Sequence, residues 1–83
     1  MKKFTCQCCG YIVLDYPDDI CRICHWQGDP VQDSGKNVGP NKVTLQQAQN
    51  NFLYFGVADK KLIDRATKPL EEDERDSNWK KIE

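Results

Sequence analysis

A helical spacing of apolar residues stands out in the middle of the chain. At about 100° per residue, one arc contains Leu45, Ala48, Phe52 and Phe55, with Leu53 beside it. A stripe of this kind is typical of a helix that packs one face on a core. The pattern therefore predicts an amphipathic helix over this segment.

Local sequence signals mark both ends of this helix. Thr44 and Gln47 fit a capping box, in which the threonine hydroxyl accepts from the third helical amide and the glutamine reaches back. Gly56 fits the position after the last turn, where a left-handed backbone favours glycine. We expect the helix to begin after Thr44 and to end before Gly56.

The opposite face of the predicted helix is rich in amides and carries no charge. Solvated helix faces more often carry charged residues. This face is therefore expected either to be covered by the chain's own tail or to bind a partner. Its residues are Gln46, Gln47, Asn50, Asn51 and Tyr54.

A second, shorter helix is predicted downstream. Asp59 can cap its start, and Pro69 closes it. Between them, Leu62, Ile63 and Ala66 lie on one side. This side is expected to face the core.

The end of the chain forms an acidic tail. We assign residues 1–69 to a cysteine-rich domain and residues 70–83 to this tail. A run of like charges is usually a solvated face, and here it would also create a negative field for a basic partner. The acidic run consists of Glu71, Glu72, Asp73 and Glu74.

One large aromatic residue lies in this polar tail. Trp79 either folds back on the core or anchors a partner. Its spacing from Ile82 is compatible with a short helix that folds back on the domain.

A β-ribbon is predicted near the N-terminus. The segment 11–14 is apolar and partly β-branched, 16–19 has turn composition, and Ile20 leads into a second group of cysteines. This order predicts a strand followed by a hairpin return. The segment 28–42, rich in glycine and proline, is typical of a loop.

The cysteines form two C-x2-C pairs, Cys6 with Cys9 and Cys21 with Cys24. Each pair can place two sulfurs on a tight turn, at two corners of a tetrahedron about 2.3 Å from a zinc ion. Four such ligands close the coordination shell. Tetrahedral sulfur geometry fits Zn²⁺ by default, and it also fits a single iron.

Two further residues beside these pairs are candidate ligands. Cys8 competes with Cys6 for the first corner, but the x2 spacing favours Cys6, because adjacent residues rarely turn both side chains toward one ion. His25 is the only histidine. Since four cysteines already complete the shell, a structural role or a weak contact with the ligands is expected for His25. Cys8 is expected to be a spectator or a thiol beside the shell, with a reactive nucleophile as the alternative.

Length and composition are consistent with one small domain that needs a staple, meaning a disulfide or a bound metal ion, for stability. The chain has 83 residues, of which 39% are hydrophobic. No stretch approaches the roughly 18 apolar residues of a membrane span, and no apolar run of a signal peptide follows the start. We therefore expect a cytoplasmic protein without a membrane partner, where closely spaced thiols bind metal rather than form disulfides.

The charge balance disfavours nucleic acid as a partner. The formal net charge is -1, and four thiolates on one Zn²⁺ lower it to about -3. Nucleic-acid binders usually have a basic balance or a basic face. A basic patch with Tyr11 or Trp26 for stacking nevertheless keeps a nucleic-acid-binding zinc ribbon as the alternative function. The basic residues are Lys2, Lys3, Arg22, Lys36 and Lys42.

Together these patterns predict a small α+β metal-stapled domain. An N-terminal zinc-ribbon-like β-hairpin with two cysteine knuckles is followed by two or three short helices. The linked segments 6–11, 21–26, 39–45 and 51–56 resemble the bacterial cysteine-rich CPCC family in order and spacing. The family's Cys-Pro-Cys-Cys has Gln7 in the proline position here. The resemblance, over about residues 4–69, implies a small bacterial metal-binding domain.

A protein-binding function fits more of the sequence than an enzyme does. The metal shell is expected to be closed, and one histidine cannot complete a catalytic constellation. The specific hypothesis is a bacterial immunity protein that binds and neutralises a basic toxin domain, such as a nuclease. The acidic run together with Asp76 would supply the field, and Tyr54 and Trp79 would be the anchors.

Overall fold

Two short antiparallel strands flank the first cysteine pair. The computed structural model describes residues 2–82. In it, β1 (Phe4–Thr5) pairs with β2 (Ile12–Leu14), with a register irregularity after the first residue pair. The hairpin of the predicted ribbon is confirmed, but the partner of β2 lies before the first cysteine pair instead of after the strand. The reason is that the first knuckle itself reverses the chain.

The second cysteine pair is also flanked by antiparallel backbone pairing, but over one residue pair instead of two short strands. A single antiparallel bridge joins Ile20 to Gln27, on either side of the pair. The turn between β2 and this bridge is closed by Asp19 N donating to Tyr16 O at 3.1 Å. The predicted turn at 16–19 therefore connects the two knuckles.

The glycine- and proline-rich segment contains one short 3₁₀ helix, Gln32–Ser34. Its Gln32 side chain is buried and donates to Asn41 O at 3.0 Å and Val43 O at 3.1 Å. Trp26, fully buried, donates from Nε1 to Asp33 Oδ1 at 2.8 Å. These bonds give the predicted loop a fixed path toward the main helix.

The main helix, α1 (Leu45–Phe55), has the predicted ends. Thr44 Oγ1 accepts from Gln47 N at 3.2 Å, Gln47 Oε1 accepts from Thr44 N at 2.9 Å, and Gly56 has φ of 78°. The helix buries Leu45 and Ala48 as predicted, together with Gln49.

The C-terminal tail does not cover the amide-rich face of α1. Leu53, predicted beside the core-facing stripe, is 61% exposed and lies outside the core. On the amide-rich face, Gln46, Gln47 and Asn50 are exposed and Tyr54 is 82% exposed. Of the two expectations for this face, cover by the tail is therefore wrong. The tail contacts α1 at Gln49, next to the buried stripe.

The second predicted helix is a 3₁₀ helix, Lys60–Arg65. Asp59 caps it as expected, since its side chain accepts from Lys61 N at 3.0 Å. Leu62 is half-buried, whereas Ile63 and Ala66 are exposed. A 3₁₀ helix has about three residues per turn, so residues spaced for one side of an α-helix spread around it.

Residues 70–82 contain no helix, so the short helix expected in the tail is wrong. The segment instead crosses the first knuckle, with a bridge between Tyr11 and Arg75 and with Ile12 N donating to Glu74 O at 2.9 Å. Backbone groups that pair with the ribbon cannot also form helical bonds. Within residues 2–82, no helix has the length and apolar character to cross a membrane.

Candidate metal centre

The two cysteine knuckles have the same backbone hydrogen bonds. In each, the amide of the fifth residue donates to the carbonyl of the first cysteine, and the first cysteine's amide donates to the carbonyl of the sixth. The donor–acceptor pairs are Gly10 N to Cys6 O at 2.8 Å, Cys6 N to Tyr11 O at 2.9 Å, His25 N to Cys21 O at 2.9 Å and Cys21 N to Trp26 O at 2.9 Å. The chain therefore builds one ligand-bearing turn twice.

The fifth position of each knuckle has a positive φ. Gly10 has φ of 81°, where glycine is free of steric cost. His25 has φ of 67° and is the only non-glycine residue with positive φ among the described residues. Its Nε2 lies 2.8 Å from Arg65 O. This contact fixes the ring against the end of the second 3₁₀ helix.

The knuckles face one another and bring four sulfurs together. The Sγ atoms of Cys6 and Cys24 are 3.5 Å apart, and those of Cys9 and Cys21 are 3.8 Å apart. All four Sγ atoms lie within 4.8 Å of one another. A tetrahedron with zinc–sulfur bonds of about 2.3 Å has edges of about 3.8 Å. This cluster could therefore hold a metal ion.

Burial and charge make a cation favourable at this position. The four side chains are 0% exposed. Hydrogen bonding to Cys21, together with burial, raises the pKa of the Cys6 and Cys24 thiols, while hydrogen bonds from Cys24 and Cys6 lower the pKa of Cys21. The hydrogen bonds from Cys24 and Cys6 thus favour the charged form of Cys21. A divalent ion would displace the remaining protons.

A backbone amide also donates to one of the sulfurs. Ile23 N lies 3.4 Å from Cys21 Sγ. An amide donor stabilises a thiolate and supports its role as a ligand. The knuckle geometry therefore positions the sulfur atoms and also provides part of the stabilisation of their negative charge.

Cys8 and His25 lie outside the group of four among residues 2–82. Cys8 is 1% exposed and packs in the core beside its neighbours. The His25 ring instead makes its contact with the backbone carbonyl of Arg65. The structure thus groups Cys6, and not Cys8, with the three other cysteines.

Replacing Cys8 with alanine is expected to keep the full metal content. The change should lower the free energy of unfolding by only about 1 kcal/mol, because it removes one buried sulfur without adding a buried hydroxyl. Elemental analysis and denaturant unfolding of the metal-loaded variant measure both quantities. Cys6→Ala is the matched variant that should lose the metal. If Cys8→Ala lost the metal and Cys6→Ala kept it, Cys8 would be the ligand in place of Cys6.

Only some of the residues predicted to bind a partner are free to do so. Tyr54, Glu71, Glu72 and Glu74 are exposed. Asp73 is paired with the Arg22 guanidinium, which lowers the pKa of its carboxyl. The expectation that all four acidic residues are available is therefore wrong for Asp73.

Trp79 is used within the chain. Its Nε1 donates to Gln7 O at 2.7 Å, and its ring lies on Gly10, where an added Cβ would be 2.7 Å from Trp79 Cδ2. Of the two roles considered for Trp79, the structure shows the fold-back. Its assignment as a partner anchor is corrected accordingly.

The aromatic residues of the nucleic-acid hypothesis are also engaged internally. Trp26 is fully buried. Tyr11 is half-buried, with the Arg75 Cζ atom 5.3 Å from its ring centroid. Arg22 is paired with Asp73. Burial therefore makes Trp26 unavailable for the base stacking of the hypothesis, and Arg75 occupies a position over the Tyr11 ring.

Gln49 is a buried polar residue that the sequence patterns did not single out. Its Nε2 donates to Gln7 O at 2.9 Å, and its Oε1 accepts from Ile82 N at 2.8 Å. The available signal is its position four residues after Leu45, within the apolar arc of α1. An amide at a core position indicates a specific buried hydrogen-bond partner.

Comparison with known proteins identifies a family that this chain matches. The family model described as Cysteine-rich CPCC matches residues 4–73, a stretch that contains both knuckles, α1 and the start of the acidic run. No curated protein and no solved structure matches the chain. Because the family match spans most of the sequence, the chain belongs to the cysteine-rich CPCC family.

Proposed function

We propose that this chain is a non-enzymatic, metal-stapled module that binds another protein. The exposure of an uncharged helix face carries the proposal: Tyr54 is 82% exposed and Leu53 is 61% exposed on α1. A large aromatic residue with an adjacent leucine is a typical core of an interface. The staple would be a tetrathiolate of Cys6, Cys9, Cys21 and Cys24 around Zn²⁺, with single iron as the alternative metal.

An acidic segment begins close to the C-terminal end of α1, the end that carries Leu53 and Tyr54. Pro69 lines a groove of about 260 Å³ together with Phe52 and Phe55. The exposed Leu70 follows directly. The exposed acids after it are Glu71, Glu72 and Glu74. An apolar centre beside negative charge favours a partner with a basic rim.

The specific function we propose is that of a bacterial immunity protein. The partner would be a basic toxin domain, for example a nuclease, whose positively charged cleft attracts the acidic segment and is then blocked. The absence of catalysis is part of this proposal, because four thiolates would leave the metal no open position for substrate. We place this function in the cytoplasm, where thiols stay reduced.

Co-expression with the product of the adjacent gene is expected to give a one-to-one complex and to inhibit that protein's activity. Replacing Glu71, Glu72 and Glu74 with glutamine should slow association by about tenfold at low salt, because steering is electrostatic. Tyr54→Ala should speed dissociation by about tenfold or more. Surface plasmon resonance at two salt concentrations separates the two effects.

Two variants on other parts of the surface serve as controls. Tyr16 is 68% exposed, so Tyr16→Ala removes a comparable ring, and Asp18→Asn removes an exposed carboxylate. Neither should change the kinetics. A complex that responds to the controls and not to Tyr54 would contradict the proposed surface, and saturable binding to labelled RNA or DNA in place of protein would favour the alternative function.

A further inference from the structure

The outer surface of the first knuckle is covered by the end of the chain, residues 73–82, which we call the strap. Three successive groups of the strap donate to carbonyls of this knuckle. They are Arg75 Nε to Cys9 O at 3.1 Å, Asp76 N to Gly10 O at 2.7 Å and Trp79 Nε1 to Gln7 O at 2.7 Å. The strap therefore satisfies acceptors on the backbone that carries two of the four sulfurs.

The strap also places a positive charge beside the knuckle. The Arg75 Cζ atom lies 5.3 Å from the centroid of the Tyr11 ring and 5.1 Å from that of the Trp79 ring. Cation–π contact with both rings holds the guanidinium in place. Since a tetrathiolate around a divalent ion has a net charge of about -2, a fixed cation at the backbone of Cys9 would favour the loaded site.

The strap is bonded to other parts of the molecule at its start, near its middle and at its end. At its start, Asp73 pairs with Arg22, which lies inside the second knuckle. Near its middle, Asp76 Oδ2 accepts from Thr5 Oγ1 at 2.6 Å, and this bond lowers the pKa of Asp76. At its end, Ile82 N donates to Gln49 Oε1. The strap thus connects the two knuckles with α1.

We infer that the strap holds the metal centre closed, so that metal binding and strap closure are thermodynamically coupled. A bound ion fixes both knuckles and with them the carbonyls that the strap needs. Conversely, the closed strap orders the first knuckle and favours the ion. By linkage, each event strengthens the other by the same factor.

The coupling also places the acidic segment under the control of the metal. Glu74 O accepts from Ile12 N, so the segment is attached to the ribbon at its last acidic residue. A metal-free knuckle would release this attachment and spread the negative charge over many conformations. This consequence rests on the proposed function, whereas the coupling itself does not.

Metal affinity measured without any partner tests the coupling. Co²⁺ is titrated into the reduced protein in competition with a chromophoric chelator. Trp79→Ala and Arg75→Gln are each expected to weaken binding by about 10–100-fold, the range typical of groups that support metal ligands from outside the shell. Arg75→Lys should lose less Co²⁺ affinity than Arg75→Gln, because it keeps the positive charge. Lys80→Ala, an exposed side chain of the same strap, should match the unaltered protein.

Amide hydrogen exchange in the metal-loaded variants provides the second readout. The amides of Asp76 and Ile12 should exchange faster in Trp79→Ala and Arg75→Gln, while the amide of Ala48, bonded to Thr44 O within α1, should stay protected. If Trp79→Ala does not fold, Arg75→Gln alone decides. Unchanged Co²⁺ affinity in Arg75→Gln would overturn the inference, whatever the partner experiments show.

Discussion

Removing the metal is expected to unfold the domain, and Cys24→Ser is expected to do so even with zinc present. The buried core is built largely from the knuckles and their neighbours, including all five cysteines with Leu14, Ile23 and Trp26. Structural zinc contributes about 10–16 kcal/mol of apparent binding energy in small domains, compared with about 5–15 kcal/mol for the total stability of a domain. A chain of this size cannot replace that contribution by packing.

The near-UV circular dichroism of the buried Trp26 measures this loss. A chelator added under reducing conditions should abolish the signal, and an equivalent of Zn²⁺ should restore it. Elemental analysis of the purified protein distinguishes zinc from iron. Cys8→Ala serves as the matched cysteine control, since it should keep both the metal and the signal. A stably folded protein without bound metal would refute the proposed staple.

The features predicted well from sequence depend on residues close together in the chain. The C-x2-C spacing determines which sulfurs share a knuckle, because a tight turn brings residues three apart to the same side. The capping box and Gly56 likewise act within one helical turn. Such local signals are enough to predict the knuckles and α1 without knowledge of the rest of the fold.

The features that were missed depend on contacts between distant residues. The hydrogen bonds from Arg75 to Cys9 and from Trp79 to Gln7 join residues 66 and 72 positions apart. A polar, charged tail carries no periodic pattern that indicates such a partner. The same reason explains why Gln49 passed as an ordinary helix residue, since its partners lie at Gln7 and Ile82.

Several of these long-range contacts meet at the first knuckle, and they change the interpretation of the tail. A run of acids before a tryptophan looks like a free interaction segment when it is considered alone. In the structure, Asp73 and Trp79 are used within the chain, while Glu71, Glu72 and Glu74 remain exposed. Exposed carboxylates and side chains bonded within the chain therefore lie on neighbouring residues of one segment.

Gly10→Ala is expected to lower the free energy of unfolding by about 3 kcal/mol, and most of this loss should come from its effect on Trp79. The backbone cost of a non-glycine residue at φ of 81° is about 1–2 kcal/mol. In addition, the new Cβ would lie 2.7 Å from Trp79 Cδ2 and 2.9 Å from Cε3, so the ring must move. Movement of the ring would break its bond to Gln7 O.

A double-mutant cycle separates the two contributions. In a Trp79→Ala background, Gly10→Ala should cost only about 1 kcal/mol, which leaves a coupling of about 2 kcal/mol between the two positions. Gly56→Ala is the matched control, because Gly56 has nearly the same φ, 78°, and an added Cβ there would lie 3.8 Å from Ala66 Cβ. Denaturant unfolding of all variants at one fixed concentration of free Zn²⁺ gives the comparison. Equal losses for Gly10→Ala and Gly56→Ala, with no relief from Trp79→Ala, would mean that Trp79 does not pack on the knuckle in solution.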